Sequence, residues 1–134
     1  MSKLAKIITP FGDIIIKLNE KCSPRSVSAI WNFLPMKYSV PVQIWGMEVF
    51  FYLPDIEDLL NVGYENEKIK LEVYDVAFWP RDPAICLFYG KTPLSRDEHP
   101  IAAEPVNVIG KIIKGHDILK KLTDGDLVLM VKFD

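Results

Sequence analysis

Apolar and polar residues alternate along most of this chain with the two-residue period that is typical of β-strands. Residues 3–9 and 14–18 are two such runs joined by a turn that contains Pro and Gly, which predicts a hairpin. In residues 24–34 the apolar positions recur instead every three or four residues, up to Pro35. This spacing predicts an amphipathic helix with Ser23 as its N-cap.

A second series of apolar runs follows the helix. Residues 40–53 predict one long strand interrupted at Gly46, where a bulge or a close backbone approach is expected. The remaining pattern predicts strands at about 69–73, 75–79, 84–89, 106–113 and 126–133, a short helix within 115–125, and polar loops at 55–68 and 93–105. Antiparallel strands of this number tend to close, because closure removes exposed edges. The expected fold of residues 1–134 is a single, mainly β domain, a closed eight-stranded antiparallel barrel capped by two α-helices.

Composition and charge narrow the class of protein. Apolar residues make up 49% and charged residues 25% of the 134 residues, which is ordinary for a globular chain with one core. The formal net charge is −2, so no basic face for nucleic acid is expected, and no apolar run approaches the length of a membrane span. The first residues lack the features of a signal peptide, and Cys22 and Cys86 fit no metal spacing. We expect a cytoplasmic protein with reduced thiols, no cofactor, no metal, and neither nucleic acid nor membrane as partner.

Several segments resemble cyclophilins in the order in which they occur. GDIIIKLNEKCSPRSVSAIWNFL (residues 12–34) is similar to the cyclophilin succession of a strand, a turn, a proline and a helix that carries Asn-Phe, here Asn32-Phe33. VIGKIIKGHDILKKL (residues 108–122) looks like the strand and second helix of that family, and Lys91-Thr92 stands where cyclophilins carry a Lys-Thr pair. The resemblance covers most of the chain and implies an eight-stranded antiparallel barrel with a helix at each end.

Four motifs resemble a narrower group, the small prokaryotic cyclophilin-like proteins of uncharacterised function. They are WGMEVFFYLP (45–54), DVAFWP (75–80), CLFYGKTP (86–93) and VNVIGKI (106–112). Members of that group combine a Trp-Gly-x-Glu strand, an Asp-Val-Ala-aromatic-Trp-Pro strand and an aromatic-Gly-x-Thr-Pro turn. The chain departs from the pattern at Tyr74, where that group usually has glycine, and in the polar turn at Arg81-Asp82.

The resemblance also implies where the residues of a prolyl isomerase should lie. In cyclophilins an arginine hydrogen-bonds the substrate amide, and a phenylalanine-lined pocket completed by glutamine, tryptophan and histidine receives the proline ring. The arginine position falls at Ile44, and the other four fall near Ala84, Cys86, Leu94 and Val106. The nearest arginines, Arg81 and Arg96, lie on other predicted loops. Loss of this donor removes roughly 2–4 kcal/mol of transition-state stabilisation, so we expect a retained scaffold with a replaced isomerase site.

Aromatic and polar residues of the same motifs are candidates for a different site. Small barrels fill their interior with side chains, so part of these aromatic residues is expected in the core. Alternation places Phe78 and Trp79 on opposite faces of their strand, and likewise Phe88 and Tyr89, so one of each pair is left for a groove wall. Aromatic side chains around a few polar groups are typical of a small-molecule pocket. The predicted ligand-binding residues are Trp45, Glu48, Phe50, Trp79, Phe88 and Thr92.

Glu48 has two interpretations. Periodicity alone favours a solvent-exposed carboxylate, whereas its place in a shared motif favours one directed into the site. In an aromatic pocket, desolvation would raise its pKa, and a cationic or hydrogen-bond-donating ligand would suit it. Neither His99 nor His116 has a second ligand at metal-binding spacing, and Cys86 is expected to be a small buried apolar residue.

Three functions therefore stay open. The first is a non-catalytic or differently catalytic module that binds a small molecule or peptide at the six predicted residues. The second is a weak or altered prolyl isomerase with Phe88 in its proline pocket. The third is an interaction protein whose aromatic patch forms a homo-oligomer.

Overall fold

Ten strands, an α-helix and a short 3₁₀-helix make up the described part of the chain, which comprises residues 3–54, 59 and 61–133 of a computed structural model. The strands are β1 (Lys3–Thr9), β2 (Gly12–Leu18), β3 (Val40–Pro41), β4 (Gln43–Trp45), β5 (Glu48–Tyr52), β6 (Lys68–Lys70), β7 (Asp75–Trp79), β8 (Ala84–Phe88), β9 (Ile101–Lys114) and β10 (Leu127–Lys132). Helix α1 is Pro24–Phe33, and the 3₁₀-helix is His116–Lys121. Part of the predicted loop at 55–68, namely 55–58 and 60, lies outside the described residues. No helix in the described ranges is long and apolar enough to cross a membrane.

The strands form one antiparallel sheet with the order β3-β10-β1-β2-β9-β7-β8-β5-β4, while β6 pairs with β9 beside this path. The end strands β3 and β4 are separated only by Val42, but within the described residues they are not hydrogen-bonded to each other. Val42 instead donates its N–H to Asp126 O at 2.9 Å and accepts from Gly125 N at 2.9 Å. The prediction of a mainly β, antiparallel fold is confirmed, but the closed eight-stranded barrel is not: among the described residues the sheet has ten strands, and its end strands do not pair.

The predicted long strand at 40–53 is a hairpin. Gly46 and Met47 form a two-residue turn in which Gly46 has φ 60°, and Trp45 of β4 pairs with Glu48 of β5. Glycine in the first central position is the ordinary choice for a tight hairpin turn. The expected close backbone approach is present, because a Cβ atom on Gly46 would lie 2.8 Å from both Thr92 Cα and Pro93 Cδ.

Two further expectations about the C-terminal half are corrected. Residues 101–105 do not belong to a loop, since β9 runs without interruption from Ile101 to Lys114 and pairs with β2, β6 and β7. The second helix is a 3₁₀-helix of six residues rather than an α-helix. The length of this helix is limited at both ends, because Gly115 precedes it with φ 87° and the turn at Thr123–Asp126 follows it closely.

Helix α1 begins where the pattern predicts, and Ser23 is its N-cap residue, but the Ser23 side chain makes no capping hydrogen bond. The Ser23 hydroxyl donates to Val108 O at 2.7 Å, and the Glu65 carboxylate accepts the N–H groups of Arg25 and Ser26 at 3.3 and 2.9 Å. Burial alone would raise the pKa of Glu65, but the hydrogen bonds from Ser26 and Arg25 outweigh it and lower the pKa. Buried Asn107 positions this loop by accepting the Glu65 N–H at 2.9 Å.

Apolar clusters lie on both faces of the sheet. The inner core contains Phe51 and Phe78 and includes Val27 and Ile30 of α1. The outer cluster comprises Leu71, Ala77, Cys86, Phe88, Ala102 and Val106, with Phe50, Trp79 and Val108 packed against it. Phe78 and Trp79 do face opposite sides, as alternation predicts. The outer cluster forms the base of the candidate site.

Candidate ligand-binding site

A pocket of about 220 Å³ opens on the outer face of the sheet. Alternation along β5 directs Val49 and Phe51 to the inner core and leaves Glu48, Phe50 and Tyr52 on the pocket side. Aromatic walls surround it, formed by Trp45, Phe50, Tyr52 and Trp79, and residues 102–104 and 106 of β9 close one side.

Two backbone features bring these walls together. The tight β4–β5 turn sets Trp45 directly opposite Glu48 in register. The N-terminal part of β9 is anchored by Thr92, whose hydroxyl donates to Ile101 O at 2.5 Å and accepts from Ile101 N at 3.3 Å. Thr92 therefore supports the segment that covers the outer face.

Glu48 is the buried acid of this pocket. Its side chain lies beside β8, where Phe88 is its register partner, and the residue is only 6% exposed. Burial raises the pKa of Glu48 to about 7, although a hydrogen bond donated by the Cys86 thiol acts in the opposite direction. Among the described residues, no lysine, arginine or histidine forms an ion pair with it. Periodicity alone gave the wrong exposure, because β4 and β9 cover a face that alternation would leave to solvent.

The far end of the pocket carries additional charge. Arg81 Nη1 donates to both carboxylate oxygens of Glu104 at 3.0 Å, which neutralises that acid. Burial raises the pKa of Tyr52, and the negative charge of nearby Asp82 raises it further. With Glu48 at one end and Asp82 near the other, the surroundings of the pocket favour positive charge in a ligand.

Trp79 contributes an unused donor. Its indole Nε1 is buried and has no hydrogen-bond partner among the described residues. A buried N–H without an acceptor destabilises a fold by about 1–3 kcal/mol. The described residues therefore leave a hydrogen-bond donor without an acceptor in this wall of the pocket.

The structure brings four of the six predicted residues together around the pocket: Trp45, Glu48, Phe50 and Trp79. Phe88 is fully buried in the outer cluster, and Thr92 is 5% exposed and bonded to Ser95 and to Ile101 of β9. Phe88 and Tyr89 are both buried or half-buried, because clusters on both faces accept them. Neither residue of this pair lines the pocket, so the groove wall that was expected of one of them is not found at this site.

Sequence reasoning did not include Tyr52, Cys86, Glu104 and Val106 in the ligand-binding set. Tyr52 could have been found, since it continues the two-residue period of Glu48 and Phe50. Glu104 could not, because it was assigned to a loop.

The residues at the positions implied for an isomerase do not all lie in one site. Ile44 is half-buried and packs against the inner core, and Leu94 is 51% exposed. Cys86 and Val106, by contrast, both line the pocket. Of the three arginines in the chain, Arg25 bonds Glu65, Arg81 bonds Glu104, and Arg96 is exposed.

One group of possible metal ligands lies elsewhere. Asp97, Glu98 and His99 bring one ligand atom each to within 4.8 Å of one another on a largely exposed loop. The His99 N–H and ring instead bond Asp97, which lowers the pKa of that carboxyl. These contacts explain why the three side chains lie together in an exposed turn.

Comparison with known proteins gives concordant matches. The family model described as Cyclophilin-like matches residues 3–131. The solution structure of the hypothetical protein AF2241 from Archaeoglobus fulgidus is 33% identical, with a TM-score of 0.78 over 98% of this chain and 95% of that chain.

More distant structures share the fold. A cyclophilin type peptidyl-prolyl cis-trans isomerase of Cryptosporidium parvum is 14% identical, with a TM-score of 0.64 over 100% of this chain and 99% of that one. McbB, solved in complex with tryptophan, is 13% identical, with a TM-score of 0.73 over 95% of this chain and 44% of McbB. No curated protein matches the chain.

Proposed function

We infer that this chain, which belongs to the cyclophilin-like family, binds a small and largely apolar ligand that carries a cationic or hydrogen-bond-donating group. The observation that carries this inference is Glu48, a carboxyl buried among aromatic walls without a basic partner among the described residues. A buried charge is normally paired, because desolvation otherwise disfavours it. A ligand cation would supply the missing partner.

The walls and the size of the pocket define the ligand further. Tryptophan and tyrosine faces attract organic cations, so Trp45 and Trp79 suit an ammonium group next to an aromatic or aliphatic body. At about 220 Å³ the pocket is smaller than the roughly 300–1,000 Å³ of drug-sized sites. It suits a molecule with one or two rings, or a single side chain of a peptide.

The predicted residues divide into two roles under this proposal. Trp45, Glu48, Phe50 and Trp79 would contact the ligand. Phe88 and Thr92 would support those contacts, Phe88 from beside Glu48 on the neighbouring strand and Thr92 by fixing the start of β9.

The test is an NMR titration with three probes of similar shape: phenethylamine, phenethyl alcohol and 3-phenylpropionate. Tryptamine extends the set, because McbB with its related fold was solved with tryptophan. At about pH 8 we expect the amines to bind best and the carboxylate worst, with shifts at the Trp79 indole N–H. Glu48→Gln should abolish the preference for the amine, whereas Glu98→Gln on an exposed loop should keep it. Equal binding of all probes, or none, would overturn the proposal.

A second candidate function is a weak prolyl isomerase. The observation in its favour is that Cys86 and Val106, the positions implied for the phenylalanine and histidine of the cyclophilin site, line this same pocket. Exchange spectroscopy on a short Ala-Pro peptide tests it. Faster cis–trans exchange that Phe88→Ala or Trp45→Ala removes would support an isomerase, and no acceleration at high protein concentration rejects one.

The proposed setting is the cytoplasm of a prokaryote, and the archaeal source of a relative supports the prokaryotic part of this proposal. Both cysteines are free, and the Cys86 thiol can donate to Glu48 only while it is reduced. Self-association through the aromatic patch is the remaining alternative. Size-exclusion chromatography with light scattering would distinguish it, since a strict monomer leaves the pocket open to a ligand.

A further inference from the structure

We propose that Glu48 acts as a general base toward a small apolar carbon acid held in the outer pocket. The substrate class is a compact, uncharged ring compound whose C–H bond is acidified by a neighbouring electron-withdrawing group. This inference rests on the proposed function only in its binding pocket, because the same pocket must first hold the molecule; it does not require the cationic group of the ligand.

The surroundings of the carboxylate make it a stronger base than a carboxylate in water. Glu48 is 6% exposed and faces the aromatic walls of Trp45 and Phe50, so little water can solvate its charge. Among the described residues, the Cys86 thiol is its hydrogen-bond donor, and a thiol is a weak one. A carboxylate that is poorly solvated in its charged form gains more by taking a proton.

The other titratable groups around the pocket do not compete for this role. On β8, burial keeps the pKa of Cys86 well above its ordinary value, so the thiol stays protonated. On β9, Glu104 is held by Arg81 through two hydrogen bonds of 3.0 Å. On β5, the pKa of Tyr52 is raised and its phenol stays neutral near pH 7. The described pocket lining therefore offers one unpaired carboxylate.

The basicity of Glu48 agrees with this geometry. Its pKa of about 7 leaves roughly half of the molecules ionised at neutral pH while keeping the carboxylate a useful proton acceptor. General bases work best when their pKa lies near the working pH. An ordinary surface glutamate is almost fully ionised at neutral pH, but its carboxylate is a much weaker base.

A benzisoxazole is a suitable probe, since its ring fits a pocket of this size and the reaction needs no other reactant. The Glu48 carboxylate removes the proton from C3 of 5-nitrobenzisoxazole. The electron pair of that C–H bond forms the nitrile, the N–O bond breaks, and its electron pair leaves on the phenolate oxygen. The coloured product is 2-cyano-4-nitrophenolate, and Glu48 returns its proton to solvent.

The experiment measures kcat/KM for this elimination across pH. We expect saturable catalysis that rises with pH to a plateau with a midpoint at about 7, because only the carboxylate form is the base. Glu48→Gln should lower kcat/KM by about 100-fold or more. Glu48→Asp, which withdraws the carboxylate by one methylene, should fall between the two, and the exposed-loop control Glu98→Gln should stay within about two-fold of the unsubstituted protein. Amide NMR spectra confirm that each variant is folded.

The outcomes separate this inference from the proposed function. If phenethylamine binds but the unsubstituted protein and Glu48→Gln catalyse elimination equally, the base is overturned and ligand binding stands. If elimination depends on Glu48 but amines do not bind, the base stands and the cationic ligand class is overturned. If neither response is seen, both are overturned.

Discussion

At the scale of single residues, the burial of Glu48 favours ligand binding but lowers the stability of the fold. Its carboxyl is useful to a ligand because it is buried beside aromatic walls, and the same burial makes its charged form unfavourable in the folded protein. In the unfolded chain the pKa of this group returns to about 4.5, while in the fold it is about 7. The site is therefore destabilising whenever Glu48 is ionised and unpaired.

This difference predicts a pH dependence of the free energy of unfolding. Between about pH 4.5 and 7 the folded state holds a proton that the unfolded state has released, so stability falls as pH rises and levels off above 7. The fall attributable to Glu48 is about 3 kcal/mol, from a difference of 2.5 in pKa. Urea unfolding at about pH 5 and pH 8 measures most of this fall, roughly 2.5 kcal/mol. Glu48→Gln should remove the fall and be the more stable protein at pH 8; an unchanged difference between the two pH values in that variant would contradict this account.

At Tyr74 the backbone conformation and the side-chain contacts have opposing effects on stability. Its φ of 74° is left-handed, a region that glycine enters freely, and the chain departs here from the glycine usual in the group it resembles. The conformation is held by hydrogen bonds from Tyr74 N to Phe88 O at 2.6 Å and from Ile112 N to Tyr74 O at 3.0 Å. The ring gains an edge-on contact with His116, with centroids 4.4 Å apart.

At position 74 we expect a glycine variant to be more stable than an alanine variant, the reverse of the usual order of stability. Both Tyr74→Ala and Tyr74→Gly lose the ring contact, but only alanine keeps the left-handed penalty of about 1–2 kcal/mol. We therefore expect the glycine variant to be about 1 kcal/mol more stable than the alanine variant in urea unfolding. An alanine variant as stable as the glycine one would show that φ is not strained here.

At the scale of elements, the β4–β5 hairpin is the part on which the pocket most depends. Its turn aligns Trp45 with Glu48, and it packs directly on the Thr92–Pro93 backbone that leads to β9. Two walls of the pocket thus meet at Gly46. The strand alternation of 48–52 was predictable from the sequence, but the packing of this turn was not, because it joins segments more than forty residues apart.

A pair of glycines separates backbone strain from packing at this turn. Gly46 and Gly63 have similar φ values of 60° and 69°, but an added Cβ would meet backbone at 2.8 Å only at Gly46 and would meet no atom within 4 Å at Gly63. Gly63→Ala should destabilise by about 1–2 kcal/mol, the left-handed penalty alone. Gly46→Ala should destabilise by about 1–3 kcal/mol more, because overpacking is added. Equal free energies of unfolding would indicate that the hairpin does not press on Thr92.

At the scale of the whole molecule, periodicity predicted which segments are strands better than it predicted how they are covered. Helix α1 and strands β1, β7 and β10 occur close to the predicted ranges, since each has a strong local pattern. In β10 the run LVLMV is apolar at every position, and only the fold decides that Val128 and Met130 are the buried ones. The burial of Glu48 and the cap that Glu65 gives to α1 depend in the same way on distant segments. Local pattern identifies faces, whereas tertiary contacts decide what lies against them.

The presence of a cluster on each face leads to a final prediction, which separates folding from binding. Phe78 lies in the inner core and Phe88 in the outer cluster, and both are fully buried, so Phe→Leu at either position should cost a similar 1–3 kcal/mol, roughly, in urea unfolding. Only Phe88 is the register partner of Glu48 and packs beneath the pocket. Phe88→Leu should therefore weaken phenethylamine binding several-fold, while Phe78→Leu leaves the dissociation constant within about two-fold in the folded fraction. If both variants weaken binding equally, the two clusters act as one core, and the outer face cannot vary its ligand without changing the stability of the whole sheet.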